Sequence, residues 1–177
     1  VEQTADSVMI TDAEGVIQYV NPGFEQLTGY RSEEVTGKTP RILKSGHHDN
    51  AHYKDLWAKL RAGQVVRTEF MNRRKDGSMY YQGEAITPVK DATGRILHFV
   101  STGRDITARV TAQEALRESE ERLKAIISFL PDATFAIDCK GKVIAWNRAM
   151  ESLTGITAGD MIGKGDYEYA VPFYGER

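Results

Sequence analysis

Cysteine occurs once in this chain, at Cys139. A lone thiol excludes an intrachain disulfide framework and any site built on several cysteines, and it suits a reducing compartment. No apolar run nears the roughly 18 residues of a membrane-crossing helix. The opening "VEQTADSVMI" has neither the basic nor the apolar region of a secretory signal. A cytoplasmic location is therefore expected for this stretch. The chain starts without Met, so a piece of a longer protein is expected, and membrane anchoring elsewhere in that parent stays open. Neither sign of charge dominates: 23 Lys and Arg face 25 Asp and Glu, a net of −2. No strong field would draw nucleic acid or an anionic lipid surface.

Catalytic signatures are missing as well. There is no P-loop, no Gly-x-Ser-x-Gly elbow, no His-Glu-x-x-His and no paired-cysteine motif. Carboxylates cluster in "ESEER", where a charge run reads as a solvated helix face. Nothing supplies an activated nucleophile, so the stretch is expected not to be an enzyme.

What the chain does contain is a folded-protein composition, 41% hydrophobic and 27% charged, and one clause written twice. "VNPGFEQLTGY" from Val20 returns as "WNRAMESLTGI" from Trp146. Residues 5–38 and 131–164 align without a gap, matching Asp6 with Asp132, Asp12 with Asp138, Gly15 with Gly141, Asn21 with Asn147 and Gly37-Lys38 with Gly163-Lys164. "SVMITD" and "VIQYV" are β-rich runs around the turn Asp12–Gly15 and read as a hairpin. Asn21-Pro22 reads as an N-cap with proline at the first helical position, opening a helix that stops near Gly29.

The first copy runs on. Asp49 can cap a helix through "NAHYKDLWAKLRA", with Tyr53, Leu56, Trp57 and Leu60 as its apolar stripe and Gly63 as its stop. Three β-rich runs follow, "VVRTEFMN", "MYYQGEAITPV" and "ILHFVSTG", joined by the turns at Lys75–Gly77 and Asp91–Gly94. Two strands, short helices and three strands make an α+β domain with an antiparallel sheet.

Through "ADSVMITD", "NPGFEQLTGY", "SEEVTGK", "NRRKDG", "ITPVKDATGRILHFV" and "GRDIT", residues 1–107 resemble the PAS/PAC sensory domains of bacterial and archaeal signalling proteins. The second copy is similar over about 127–164 but lacks the later helix and the last three strands. The resemblance implies a five-stranded antiparallel sheet with short flanking helices in 1–107, a helical linker in 108–130, and a truncated second PAS domain in 131–177. Its incomplete sheet should leave strand edges unpaired.

Between Ile106 and Leu130 there is neither Gly nor Pro, so a helix of roughly 20 residues is expected. Ala112, Leu116, Ser119, Leu123, Ile126 and Leu130 alternate at spacings of four and three. They form either the seam of a parallel homodimer or the buried face of one amphipathic helix. Asp105-Ile106-Thr107, at the head of this helix, resembles the family's Asp-Ile-Thr junction, through which such helices carry signals to the next module. By chemistry alone Asp105 or Thr107 can be an N-cap.

In PAS domains ligands lie between the inner sheet face and the short helices. If Asn72 faces inward, so do Thr68 and Phe70, and on the next strand Tyr80, Gln82, Glu84 and Ile86 share a face. An inward Glu84 needs a partner or a raised pKa; alternatively a bulge at Gly83 turns it outward. "GKTPRILKSG" resembles the flavin-binding segment of the LOV branch, where Arg41 matches a phosphate-contacting Arg, Asn72 the first ring-contacting Asn, and Gln82 stands at the second Asn. Pro40 occupies the place of the photoreactive Cys and Gly103 that of the signalling Gln, so adduct photochemistry is excluded. "NRRKDG" and "DLW" also resemble FAD-containing PAS sensors, which usually carry a Trp near Val66 that is absent here. FAD or FMN is thus the cofactor to test. Haem is its rival, since His48-Asp49 lies where oxygen-sensing PAS domains place a proximal His; the plainer reading makes Asp49 a cap. His48 and His52 are also four apart, the spacing of an adventitious metal pair.

Two functions follow from the resemblance. One is a sensor that passes a pocket event, from a small ligand or redox cofactor, through Asp105–Thr107 and the linker to a downstream output domain. A histidine kinase is expected there, with a diguanylate cyclase or phosphodiesterase as the alternative. The other is a ligand-free dimerisation spacer, with the self-association made by the linker helix and the PAS surfaces.

Overall fold

The computed structural model describes residues 6–165; the expected segments at 1–5 and 166–177 lie outside them. Two compact units divide the chain, Val1–Thr111 and Ala112–Arg177.

In the first unit a hairpin of β1 (Ser7–Asp12) and β2 (Ile17–Val20) opens the fold. Asp12 makes its turn: Oδ1 accepts from Glu14 N at 3.0 Å and from Val16 N at 2.8 Å. Gly15 sits there at φ +86, and a Cβ on it would lie 2.7 Å from the Trp57 ring. Both its dihedral and its lack of side chain are therefore required. Helix α1 (Pro22–Thr28) follows. The buried Asn21 side chain caps it by accepting from Phe24 N at 2.9 Å, and also accepts from Val8 N at 2.8 Å and donates to the Asp6 carbonyl at 3.0 Å. One amide thus ties strand to helix. A short α2 (Ser32–Val35), a 3-10 turn at Pro40–Leu43 and α3 (Asn50–Arg61), capped by Asp49, lead to β3 (Val66–Arg73), β4 (Met79–Lys90) and β5 (Ile96–Asp105).

The five strands form one antiparallel sheet in the order β2-β1-β5-β4-β3. Its inner face carries two apolar clusters. Met9, Ile17, Val20, Phe24, Val35 and Leu43 pack under α1 and α2, while Leu56 and Leu60 of α3 pack on Phe70 and Phe99. The stripe expected on α3 is the face it buries, with Tyr53 and Trp57 at its margin.

Helix α4 (Thr107–Phe129) has 23 residues, none buried. Leu116 and Leu123 are 61% and 57% exposed, and Ala112, Ser119, Ile126 and Leu130 are exposed too. These six positions thus form an uncovered stripe among the described residues.

In the second unit β6 (Phe135–Ile137) pairs with β7 (Val143–Trp146), followed by α5 (Arg148–Thr154) and α6 (Ala158–Met161). The repeat holds at the level of atoms. Asn147 Oδ1 accepts from Met150 N at 3.0 Å and Thr134 N at 2.9 Å, and Asp138 Oδ1 accepts from Lys140 and Lys142 N, as Asn21 and Asp12 do in their own unit. Among the described residues no helix is long and apolar enough to cross a membrane.

Candidate functional site

The register of the sheet sets the site. Thr68, Glu84, Gly103 and Ser7 are direct neighbours across β3, β4, β5 and β1, and alternation brings Phe70, Asn72, Tyr80 and Gln82 to the same inner face. No register shift interrupts β3 against β4, so Gly83 makes no bulge and Glu84 points inward. The outward alternative for Glu84 is thereby corrected.

A polar band crosses this face where apolar side chains would suffice for packing. Asn72 Nδ2 donates to Gln82 Oε1 at 3.0 Å, and the Tyr80 hydroxyl donates to the same oxygen at 3.1 Å. All three residues are buried. Gln82 lies across Gly103, where any Cβ would overlap its amide. The glycine that departs from the LOV pattern therefore leaves room for a glutamine on the neighbouring strand. Glu84 accepts from Ser101 Oγ. Most of the residue is covered, and burial pushes its pKa up against that one hydrogen bond. Burial and the nearby Glu84 likewise push the Tyr80 phenol well above its ordinary value.

Thr68 is half-buried opposite Glu84. Arg41 is exposed on the 3-10 turn and does not enter the band. His48 is committed elsewhere: its Nε2 accepts from Met71 N at 3.0 Å, which leaves that lone pair unavailable to an iron. The haem reading is therefore not supported. Among the described residues no three His, Cys, Asp or Glu side chains converge on a metal position.

The band connects to the head of α4 through Arg74. Its guanidinium stands 4.3 Å from the centroid of the Tyr80 ring, donates to the Leu27 carbonyl, and reaches Asp105 Oδ2 at 2.8 Å. Asp105 Oδ1 accepts from Thr107 N at 2.9 Å, the first amide of α4. Burial alone would push Asp105 up, but the bonds from Thr107 and Arg74 outweigh it and hold the carboxyl below its usual range. Thr107 Oγ1 accepts from Tyr81 N and Ile106 N donates to Tyr81 O, both at 2.9 Å. Ile106 comes down on the bare Gly83, whose Cβ would lie 3.4 Å from Cγ2. The junction thus completes the edge of β4 where β5 ends.

Sequence reasoning missed Ser101 and Arg74. Ser101 could have been found by alternation along "FVSTG", since it falls between the inward Phe99 and Gly103. Arg74 carried no local signal, because its partners at Leu27 and Asp105 are remote in sequence.

Comparison with known proteins gives the family. A model described as "PAS domain" matches residues 5–108, and one described as "PAS fold" matches 121–172. The chain is 31% identical over 152 residues to a nitrogen fixation regulatory protein of Klebsiella oxytoca, covering 86% of this chain and 31% of that protein. It is 31% identical over 126 residues to a blue-light-activated histidine kinase of Brucella canis, covering 70% of this chain and 26% of the kinase. It thus spans about a third or less of the length of these relatives. Among solved structures, an RNA-binding light-oxygen-voltage receptor matches with a TM-score of 0.62 at 27% identity, over 68% of this chain and 35% of that one. The LOV domain of a blue-light activated histidine kinase from Erythrobacter litoralis matches with a TM-score of 0.55 at 27% identity, over 59% and 99%.

Proposed function

The chain belongs to the PAS domain family, and from that premise we propose that its first unit is a cytoplasmic sensory module whose inner-face polar band receives a small ligand or a flavin and passes the event to α4. The observation that carries this reading is the buried amide pair Asn72–Gln82 beside the inward carboxyl of Glu84. Burying such groups costs free energy that apolar residues at the same positions would avoid. They are retained at the place where a ligand would need donors and acceptors.

The residues fit a flavin held without a covalent bond. Two amides supply both donors and acceptors for a polar ring edge, but the first unit contains no cysteine, and Pro40 stands in the 3-10 turn. A bound flavin would supply light absorption or a redox couple. Everything else falls to the protein. Turning the Gln82 amide would change what Asn72 and Tyr80 bond to. The Tyr80 ring and Arg74 would carry that change to Asp105 and so to the head of α4. The exposed stripe from Ala112 to Leu130 suits a parallel dimer whose pairing the junction would bias, with a histidine kinase as the output domain of the parent chain.

A second reading has its own support. Asn72, Gln82 and Tyr80 satisfy one another, and Gln82 fills the space over Gly103, as in a module that holds no ligand and acts as a dimerising spacer. One experiment separates the two: an absorption spectrum of protein purified anaerobically and then exposed to air. Flavin bands near about 370 and 450 nm, lost in Asn72→Ala, are expected for the redox sensor. A featureless spectrum, with no small molecule released on denaturation, would sink the sensor and leave the spacer.

A further inference from the structure

Three imidazoles crowd the free edge of the sheet. β3 is its terminal strand, and Met71 turns both backbone groups away from β4: its N–H donates to His48 Nε2 at 3.0 Å and its C=O accepts from Ser45 Oγ. Lys44 adds a bridge to Asn72. The segment 44–48 therefore covers an edge that would otherwise be open. Behind it the His48 ring stacks on His52 with centroids 4.5 Å apart, and His47 meets His48 edge-on at 5.1 Å. Tyr53 and Phe70 enclose the stack, and His52 Nε2 is buried with no hydrogen-bond partner.

We propose that this stack is a proton-operated latch, in which neutral His48 holds the segment 44–48 on the β3 edge and protonated His48 lets it go. The direction follows from hydrogen-bond chemistry. Nε2 can accept from Met71 N–H only through its lone pair, and a proton on that nitrogen would set two donors face to face. Release of the segment into water relieves that conflict.

The groups facing His48 agree with that direction. From its own loop come His47 and Asp49, from α3 come His52 and Tyr53, and β3 offers Phe70 and the Met71 N–H. Lys44 is turned over the Tyr53 ring at 4.7 Å. Burial, then His52 and His47, hold His48 below its ordinary 6.5, with Asp49 pulling the other way. A histidine depressed on folding stabilises the folded state above its unfolded pKa, and that contribution drains away as pH falls below it. The latch is closed at neutral pH and opens in acid, whatever the polar band does or does not bind. Because Lys44 bridges Asn72, opening would also uncover the flank of the band.

The test is amide hydrogen exchange with imidazole titration by NMR on the full 177-residue chain. The Met71 protection factor, already corrected for intrinsic exchange, should fall by about tenfold between about pH 7.5 and 5, the change expected when one buried donor loses its acceptor. His48→Gln keeps an acceptor without a titrating proton and should leave Met71 protection flat across that range. Met71 protection in the natural chain that stays constant to within about twofold, or an equal fall in His48→Gln, would overturn the latch. If the variant does not fold, the titration of the natural chain decides alone.

Discussion

Arg74 and Asp105 meet at 2.8 Å between the β3–β4 turn and the last residue of β5, and the same guanidinium lies over the Tyr80 ring. An arginine is needed there, because one planar group serves a carboxylate, a carbonyl and an aromatic face at once. Arg74→Ala should lower stability by roughly 1–2 kcal/mol, a figure held down by the partial exposure of the ion pair. Amide exchange at Ile106 and Thr107 should quicken while β1 stays protected, and equal quickening everywhere would mean that Arg74 only supports the fold. Arg74→Lys should restore the charge without the bond to Leu27 and recover only part of the protection.

Glu84 should make stability depend on pH in the sense opposite to His48. Its folded pKa is raised by burial above the ordinary 4.5. The folded state therefore holds its proton longer than the unfolded one, and the contribution is full below 4.5 and lost as pH rises toward the folded value. Urea denaturation of the natural chain should show this decline, and Glu84→Gln should remove it and gain about 1 kcal/mol at neutral pH. A variant with the slope unchanged would put the titrating group elsewhere.

Gly103→Ala should disrupt the band without touching a polar group. The new methyl would overlap the Gln82 amide and push it off Asn72 and Tyr80. A loss of roughly 1–3 kcal/mol in chemical denaturation is expected, since buried donors are left unpaired. If Gln82→Ala is then combined with it, the double variant should cost less than the sum, because the clash has gone.

Leu116→Asp with Leu123→Asp should shift sedimentation toward the monomer while the far-ultraviolet spectrum of the first unit persists. Both leucines are exposed on α4, so charging them costs little in a monomer and much in a seam. An unaltered dimer would remove the seam and leave the PAS surfaces as the contact.

Much of the fold was written locally. Asn21-Pro22 and Gly29 bounded α1 because capping chemistry acts within one turn, and Asp12–Gly15 made the hairpin because Asp12 bonds to amides two and four residues on. Alternation put Phe70, Asn72, Tyr80, Gln82 and Glu84 on one face because the side-chain period of a strand is two. Local pattern could not say whether Gly83 broke that period, and only the unbroken pairing with β3 did so.

By itself, then, the sequence determined the strands, the longer helices, the caps at Asn21 and Asp49, and which side chains alternate together along each strand, since these depend on neighbours a few residues away. Tertiary structure alone decided that Gln82 would lie over Gly103, that Ser101 would meet Glu84, that Arg74 would reach from Tyr80 to Asp105, and that His48 would hold Met71. Each of these joins groups on different elements. Their meeting is set by strand order, register and the way α3 and its leading loop settle on the sheet, which no local periodicity contains.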